Sequence, residues 1–158
     1  MEYKFRGKDK PNTPWFYGGF HKHEMYTRCP IYAKGEEPPE PEYEYLIIES
    51  GFSDWNLPKP LQARTVDPDS VGQYVNRIDH NGIEIYTKDI VKVKLTAGYS
   101  ECYSWEPFEV IYDVNQLCFT LRPIGDTSPW FGIPSFQYDR TIEVIGNTFD
   151  NPELGEQA

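Results

Sequence analysis

Fourteen prolines and twelve glycines are scattered through this 158-residue chain, so that few stretches run far without one of them. Each proline removes a backbone donor and fixes φ, and each glycine costs a helix interior about 1 kcal/mol. Long helices are therefore excluded. The chain must build its core from short extended segments joined by turns. Its apolar content is 39%, but twelve Tyr, nine Phe and four Trp supply large side chains that suit strands. At this length one domain or two small ones are expected, with no need of a metal or disulfide staple.

Strand signals follow one another along the chain. Met1, Tyr3 and Phe5 alternate with charged residues, and "WFYGGFHKH" resumes an extended pattern after a turn-rich "KDKPNTPW". A Pro/Glu-rich break, "AKGEEPPEPE" over 33–42, precedes the strand "YEYLIIES", and "GFSDWNLPKP" reads as a loop. Later come "FEVIYD" and "LCFTLRP", joined through "VNQ" as a hairpin, and then "RTIEVIGN" with Ile142 and Val144 inside. The tail, 151–158, is polar and expected to fray.

The densest instructions lie in "VDPDSVGQYVNRIDHNGIEIYTKDIVKV", residues 66–93. Asp67 before Pro68 is a helix-start pair, predicting one short helix near 68–73. Gly72 follows and limits it. Asn81-Gly82 predicts a two-residue hairpin turn with both residues at positive φ. Ile83 and Ile85 alternate on one strand and Val91, Val93 and Leu95 on the next. The intervening "TKD" marks a turn or bulge, where Asp89 is expected to bond to the backbone. Gly72 and Gly82 are expected to supply backbone freedom.

No recognisable catalytic pattern is present: there is no G-x-S-x-G, Walker A loop, G-x-G-x-x-G or H-E-x-x-H. His21 and His23 share a strand face and would suit a metal, but no third ligand stands at standard spacing, so no metal and no cofactor is expected. Asp79 beside His80 suggests a general base, yet neighbouring strand residues point to opposite faces, and a hairpin shoulder accounts for both. Cys29, Cys102 and Cys118 form neither a disulfide framework nor a zinc pattern, which fits a reducing compartment. Cys118 has no visible cationic neighbour to activate it. The catalytic set is therefore empty. Nothing in the sequence spans a membrane or directs secretion, and a cytoplasmic location is expected.

The net charge is −10, and it is uneven. Residues 1–60 hold 8 basic against 10 acidic side chains, residues 61–100 hold 5 against 5, and residues 101–158 hold 2 against 10. The acidic last third repels a phosphate backbone. A basic strip survives in the neutral middle: Arg77, Lys92 and Lys94, with Tyr74 and Tyr86 nearby, form the candidate face for single-stranded nucleic acid. The plainer reading is a solvated strand face guarded by lysines.

Three stretches together resemble the YopX family of phage and prophage proteins: "EYKFRGKDK" with Trp15 following, the 66–93 segment, and "IEVIGNTFDNPEL". The resemblance implies an all-β protein with a small SH3-like barrel in the C-terminal half and an N-terminal β-hairpin region. The corresponding division is 1–65, 66–150 and a tail at 151–158. It also implies a phage-derived protein acting in the bacterial cytoplasm, in a family with no established activity or catalytic residues. The leading expectation is a non-catalytic binding or assembly module with a protein partner, or itself as a homo-oligomer. A nucleic-acid-binding protein is the alternative, and an enzyme with an unrecognised site is the third reading. On any of them, Asp67, Pro68, Gly72, Asn81, Gly82 and Asp89 are read as scaffold.

Overall fold

A computed structural model describes residues 3–26, 40–93, 95–97, 100–102, 107–124 and 142–156, with backbone alone for 95–97 and 100–102. The expectations placed on Cys29, Lys94, most of the Pro/Glu-rich break and the region 125–141 lie outside the described residues. The chain divides into two compact units, one of residues 4–71 and one of residues 72–158 together with residues 1–3.

The first unit is an antiparallel sheet in the order β4-β3-β2-β1. Its strands are β1 (Phe5–Gly7), β2 (Phe16–Glu24), β3 (Tyr43–Ser50) and β4 (Leu61–Thr65). Phe5, Phe20 and Tyr45 stack across β1, β2 and β3, with ring centroids 5.4 and 6.2 Å apart. Ile47 and Val66 are buried beside them. Gly18 is obligatory here, because a Cβ at that position would stand 2.0 Å from the Ile48 carbonyl oxygen. The stretch after β4 belongs to this sheet: Val66 N–H donates to Tyr45 O and Asp67 N–H to Lys8 O, each at 2.8 Å. The expected division at residue 66 therefore gives way to one after Val71.

The helix start at Asp67 forms, but as one 3-10 turn, Pro68–Ser70, rather than a helix over 68–73. Asp67 accepts the Asp69 N–H at 2.8 Å. The Ser70 hydroxyl accepts the Lys8 N–H at 2.9 Å and lies within 2.8 Å of the Lys8 carbonyl. That tie ends the turn, and β5 begins at Gly72.

The second unit holds β5 (Gly72–Ile78), β6 (Glu84–Tyr86), β7 (Asp89–Val93), β8 (Leu95–Ala97), β9 (Ser100–Cys102), β10 (Pro107–Asp113), β11 (Cys118–Pro123) and β12 (Ile142–Asn147), closing with α1 (Pro152–Glu156). Strands β5 and β6 form a hairpin, β8 and β9 another, and a four-stranded sheet runs β11-β10-β7-β12. One core joins the first hairpin to that sheet: Val75 and Ile85 pack with Val91, Val93, Phe108, Val110, Leu121 and Ile142. Each fully buried aliphatic side chain there contributes about 1.5–3 kcal/mol. The class is all-β, as expected. Among the described residues, however, the sheets are open and none closes into a barrel.

Two local expectations need correction, and one strand was not expected at all. The tail does not simply fray, since α1 forms within it. Leu117, read as the start of a strand, sits in the β10–β11 turn at φ 53° and is exposed. Strand β4 has all five residues exposed and no apolar alternation to announce it, and is held by its ladder to β3.

Candidate functional site

The 66–93 motif folds into tightly tied scaffold. Asp79 lies at the foot of the β5–β6 hairpin, 5% exposed. Its Oδ1 accepts the N–H groups of Asn81 (2.7 Å) and Ile83 (2.9 Å), and its Oδ2 accepts that of Val144 on β12 (3.1 Å). Burial alone would raise the Asp79 pKa, but the three backbone donors and the charge of His80 outweigh it and hold the carboxyl below its ordinary value. His80 binds the same strand, its backbone N–H donating to Ile142 O at 3.1 Å and its Nδ1 standing 3.0 Å from that oxygen. This Asp–His pair clamps a hairpin to β12.

The turn itself differs from the expected one. Gly82 alone takes positive φ (82°), and Asn81 does not. Gly82 N–H donates to Asp79 O and Asp79 N–H to Ile83 O, a three-residue loop with a glycine bulge. The Asp79 carboxylate selects this form by collecting the loop's inward N–H groups. Gly72 is buried at ordinary φ, so its expected backbone freedom is not used. Asp89 behaves as expected: its Oδ2 accepts the Tyr86 N–H at 2.7 Å across the Thr87-Lys88 turn. Lys88, not a glycine, takes φ 70° there, and its N–H is held by Val110 O at 2.8 Å.

Of the candidate nucleic-acid face, the structure describes Tyr74, Arg77, Tyr86 and Lys92. Tyr86 is 1% exposed, and its hydroxyl donates to Glu84 at 2.6 Å, so it presents no ring for a base to stack on. Tyr74 is half-buried against it, with centroids 5.5 Å apart. Arg77 is exposed on β5, while Lys92 is half-buried on β7 in the other sheet. Because β7 runs between β10 and β12, Lys92 guards no edge. Its cross-strand neighbours are Pro107 and Glu143.

In the first unit several aromatic rings carry one of the chain's own cations over a face. Arg6 and Lys8 stand 4.3 and 4.2 Å from the Trp15 ring, Lys22 stands 4.0 Å from Tyr43, and Arg64 stands 5.6 Å from Phe16. His21 and His23 are exposed on β2 with ring centroids 6.0 Å apart. Among the described residues no cluster of three or more His, Cys, Asp or Glu is placed to hold a metal ion. Nor is any helix there long and apolar enough to cross a membrane. Cys118 is a half-buried free thiol.

The surface feature that does stand out lies between β3 and β4. Phe52, Trp55, Leu57 and Leu61 are 87%, 96%, 64% and 77% exposed. The loop is pinned at its base by Gly51 N–H donating to Pro60 O at 2.7 Å, and internally by the Ser53 hydroxyl donating to Leu57 O at 2.8 Å. Three large apolar side chains on a pinned loop, with Leu61 at the start of the adjoining edge strand β4, are the kind of exposed apolar surface that marks an interaction site. Sequence reading passed over this loop, although three such residues in a segment that prolines bar from the core were the available signal.

The family described as YopX protein matches residues 4–156. No curated protein matches. A solved structure, the "Crystal structure of protein EF1440 from Enterococcus faecalis", aligns over 98% of this chain and 99% of that one at 18% identity, with a TM-score of 0.47.

Proposed function

The chain belongs to the YopX family, and on that premise we propose that it is a non-catalytic binding and assembly module. Its partner docks on the β3–β4 loop and the β4 edge. The observation that carries this reading is the exposure of Phe52, Trp55 and Leu57 on a pinned loop, with Leu61 exposed where β4 begins. Desolvating such side chains is what drives association, and aromatic anchors dominate it. The phage setting and the bacterial cytoplasm belong to this reading through the family. So does an SH3-like character of the second unit, in which a hairpin and a four-stranded sheet enclose one core.

The test is co-purification and light scattering of the full chain against Phe52→Ser with Trp55→Ser. Loss of two anchors of this kind weakens association by roughly a thousandfold, from about 2 kcal/mol per anchor. Association unchanged in the double variant would overturn the reading.

A further inference from the structure

We propose that the partner on β4 is a second copy of this chain, paired antiparallel with it across a two-fold axis at Ala63. This deepens the reading above and rests on it. The ladder with β3 decides which backbone groups are free to pair. Val66 donates to Tyr45 O, Gly51 donates to Pro60 O, and the register runs from Leu46↔Thr65 to Ser50↔Leu61. Hydrogen-bonded pairs recur every second residue in an antiparallel ladder, so Gln62 and Arg64 face β3. The N–H and C=O groups of Leu61, Ala63 and Thr65 therefore point outward, and among the described residues no backbone group takes them up.

The outward row is bounded on both sides. Pro58 and Pro60 flank Lys59 before it, and beyond it the Asp67 N–H is already given to Lys8 O. A two-fold pairing that uses all three outward residues has one register: Ala63 opposite the partner subunit's Ala63, and Leu61 opposite the partner subunit's Thr65. It closes six backbone hydrogen bonds, two for each facing pair of residues. The smallest side chain of the strand lies on the axis. Arg64, 3.2 Å from Glu49 on its own sheet, comes to stand opposite the partner subunit's Gln62, so no like charges face each other directly.

The other described edges are short, interrupted or proline-ended, β8 and β9 among the short ones at three residues each, and β4 is none of these. Strand β12 carries an irregularity between Val144 and Gly146, β11 ends in Arg122-Pro123, and β6 is three residues long. Lysines, prolines, bulges and shortness are the means by which edges avoid pairing. Strand β4 has no lysine, no proline and an unbroken register. Strand pairing alone covers too little area for a stable dimer. The apolar loop ending at Leu61 lies at the end of β4 that meets the partner strand, and it supplies the rest.

Light scattering on the full chain across concentration tests this, with Ala63→Pro and Ala63→Lys beside the wild type. The Ala63 N–H serves no bond to β3, so proline there leaves the fold intact and blocks pairing. Lysine places two like charges at the axis. The expected result is a two-chain mass for the wild type and a single-chain mass for both variants, with unchanged circular dichroism and thermal midpoint. For Ala63→Lys the loss is at least tenfold in affinity and lessens with added salt. As a second measurement, Ala63→Cys should form a disulfide between the two introduced thiols on mild oxidation, since facing Cα atoms about 5.5 Å apart suit the bond. A single-chain wild type at every concentration, a dimer indifferent to both substitutions, or no such link would overturn the pairing. If the pairing alone is wrong, Phe52→Ser with Trp55→Ser still abolishes binding to a different protein. If the proposed function is wrong, that variant changes nothing.

Discussion

Asp79 shows how one side chain fixes register at a distance. It satisfies two N–H groups of its own loop and one of β12, 65 residues later in the chain. Asp79→Asn turns an amide N–H toward one of these donors and should cost about 1–3 kcal/mol in denaturant unfolding. The carboxyl is held below its ordinary pKa in the folded chain. Its stabilisation is therefore fully present above about pH 3.9, the ordinary value, and is lost as pH falls through the lower folded value. Acid titration of stability should show this loss in the wild type and not in Asp79→Asn. Gly18 makes the complementary prediction. Alanine there collides with the Ile48 carbonyl and should destabilise by about 1–3 kcal/mol or more, read as a lowered thermal midpoint.

At the scale of elements, the short motifs that looked chemical turn out to be joints. The closing "GNTFDNPEL" is a second such joint. Asn147 Oδ1 accepts the N–H groups of Phe149 (3.1 Å) and Asp150 (2.8 Å), and Asn151 Oδ1 lies where a Cβ on Gly146 would be 2.6 Å away. Asn151-Pro152-Glu153 then opens α1 as Asp67-Pro68-Asp69 opens the 3-10 turn, a parallel the sequence offered and the polarity of the tail concealed. A strand with alternating burial, such as β10, was legible because burial leaves an apolar period. Strand β4 was not, because its stability comes from a backbone ladder that no side-chain pattern records. For the same reason the edge half of the proposed association surface was illegible, though its apolar loop was not: an edge exists only once the neighbouring strand is placed. Within the core, Ile85→Ala should cost about 2–5 kcal/mol, measured by the same unfolding assay, since Ile85 joins the β5–β6 hairpin to the sheet.

Across the whole molecule, the net charge of −10 and the cation-covered aromatic rings weigh against a nucleic-acid surface, and the uncovered aromatic loop weighs toward a protein one. Roles divide along the chain: residues 66–93 and the closing motif specify fold, and residues 51–65 carry the proposed association. Amide hydrogen exchange followed residue by residue, in concentrated and in dilute protein, tests that division most directly. Leu61, Ala63 and Thr65 should be protected when concentrated and exchange freely on dilution, while Ile83 and Tyr86 stay protected throughout. Equal exchange of the three outward amides at both concentrations would contradict the account, as would concentration-dependent protection centred on residues 79–89.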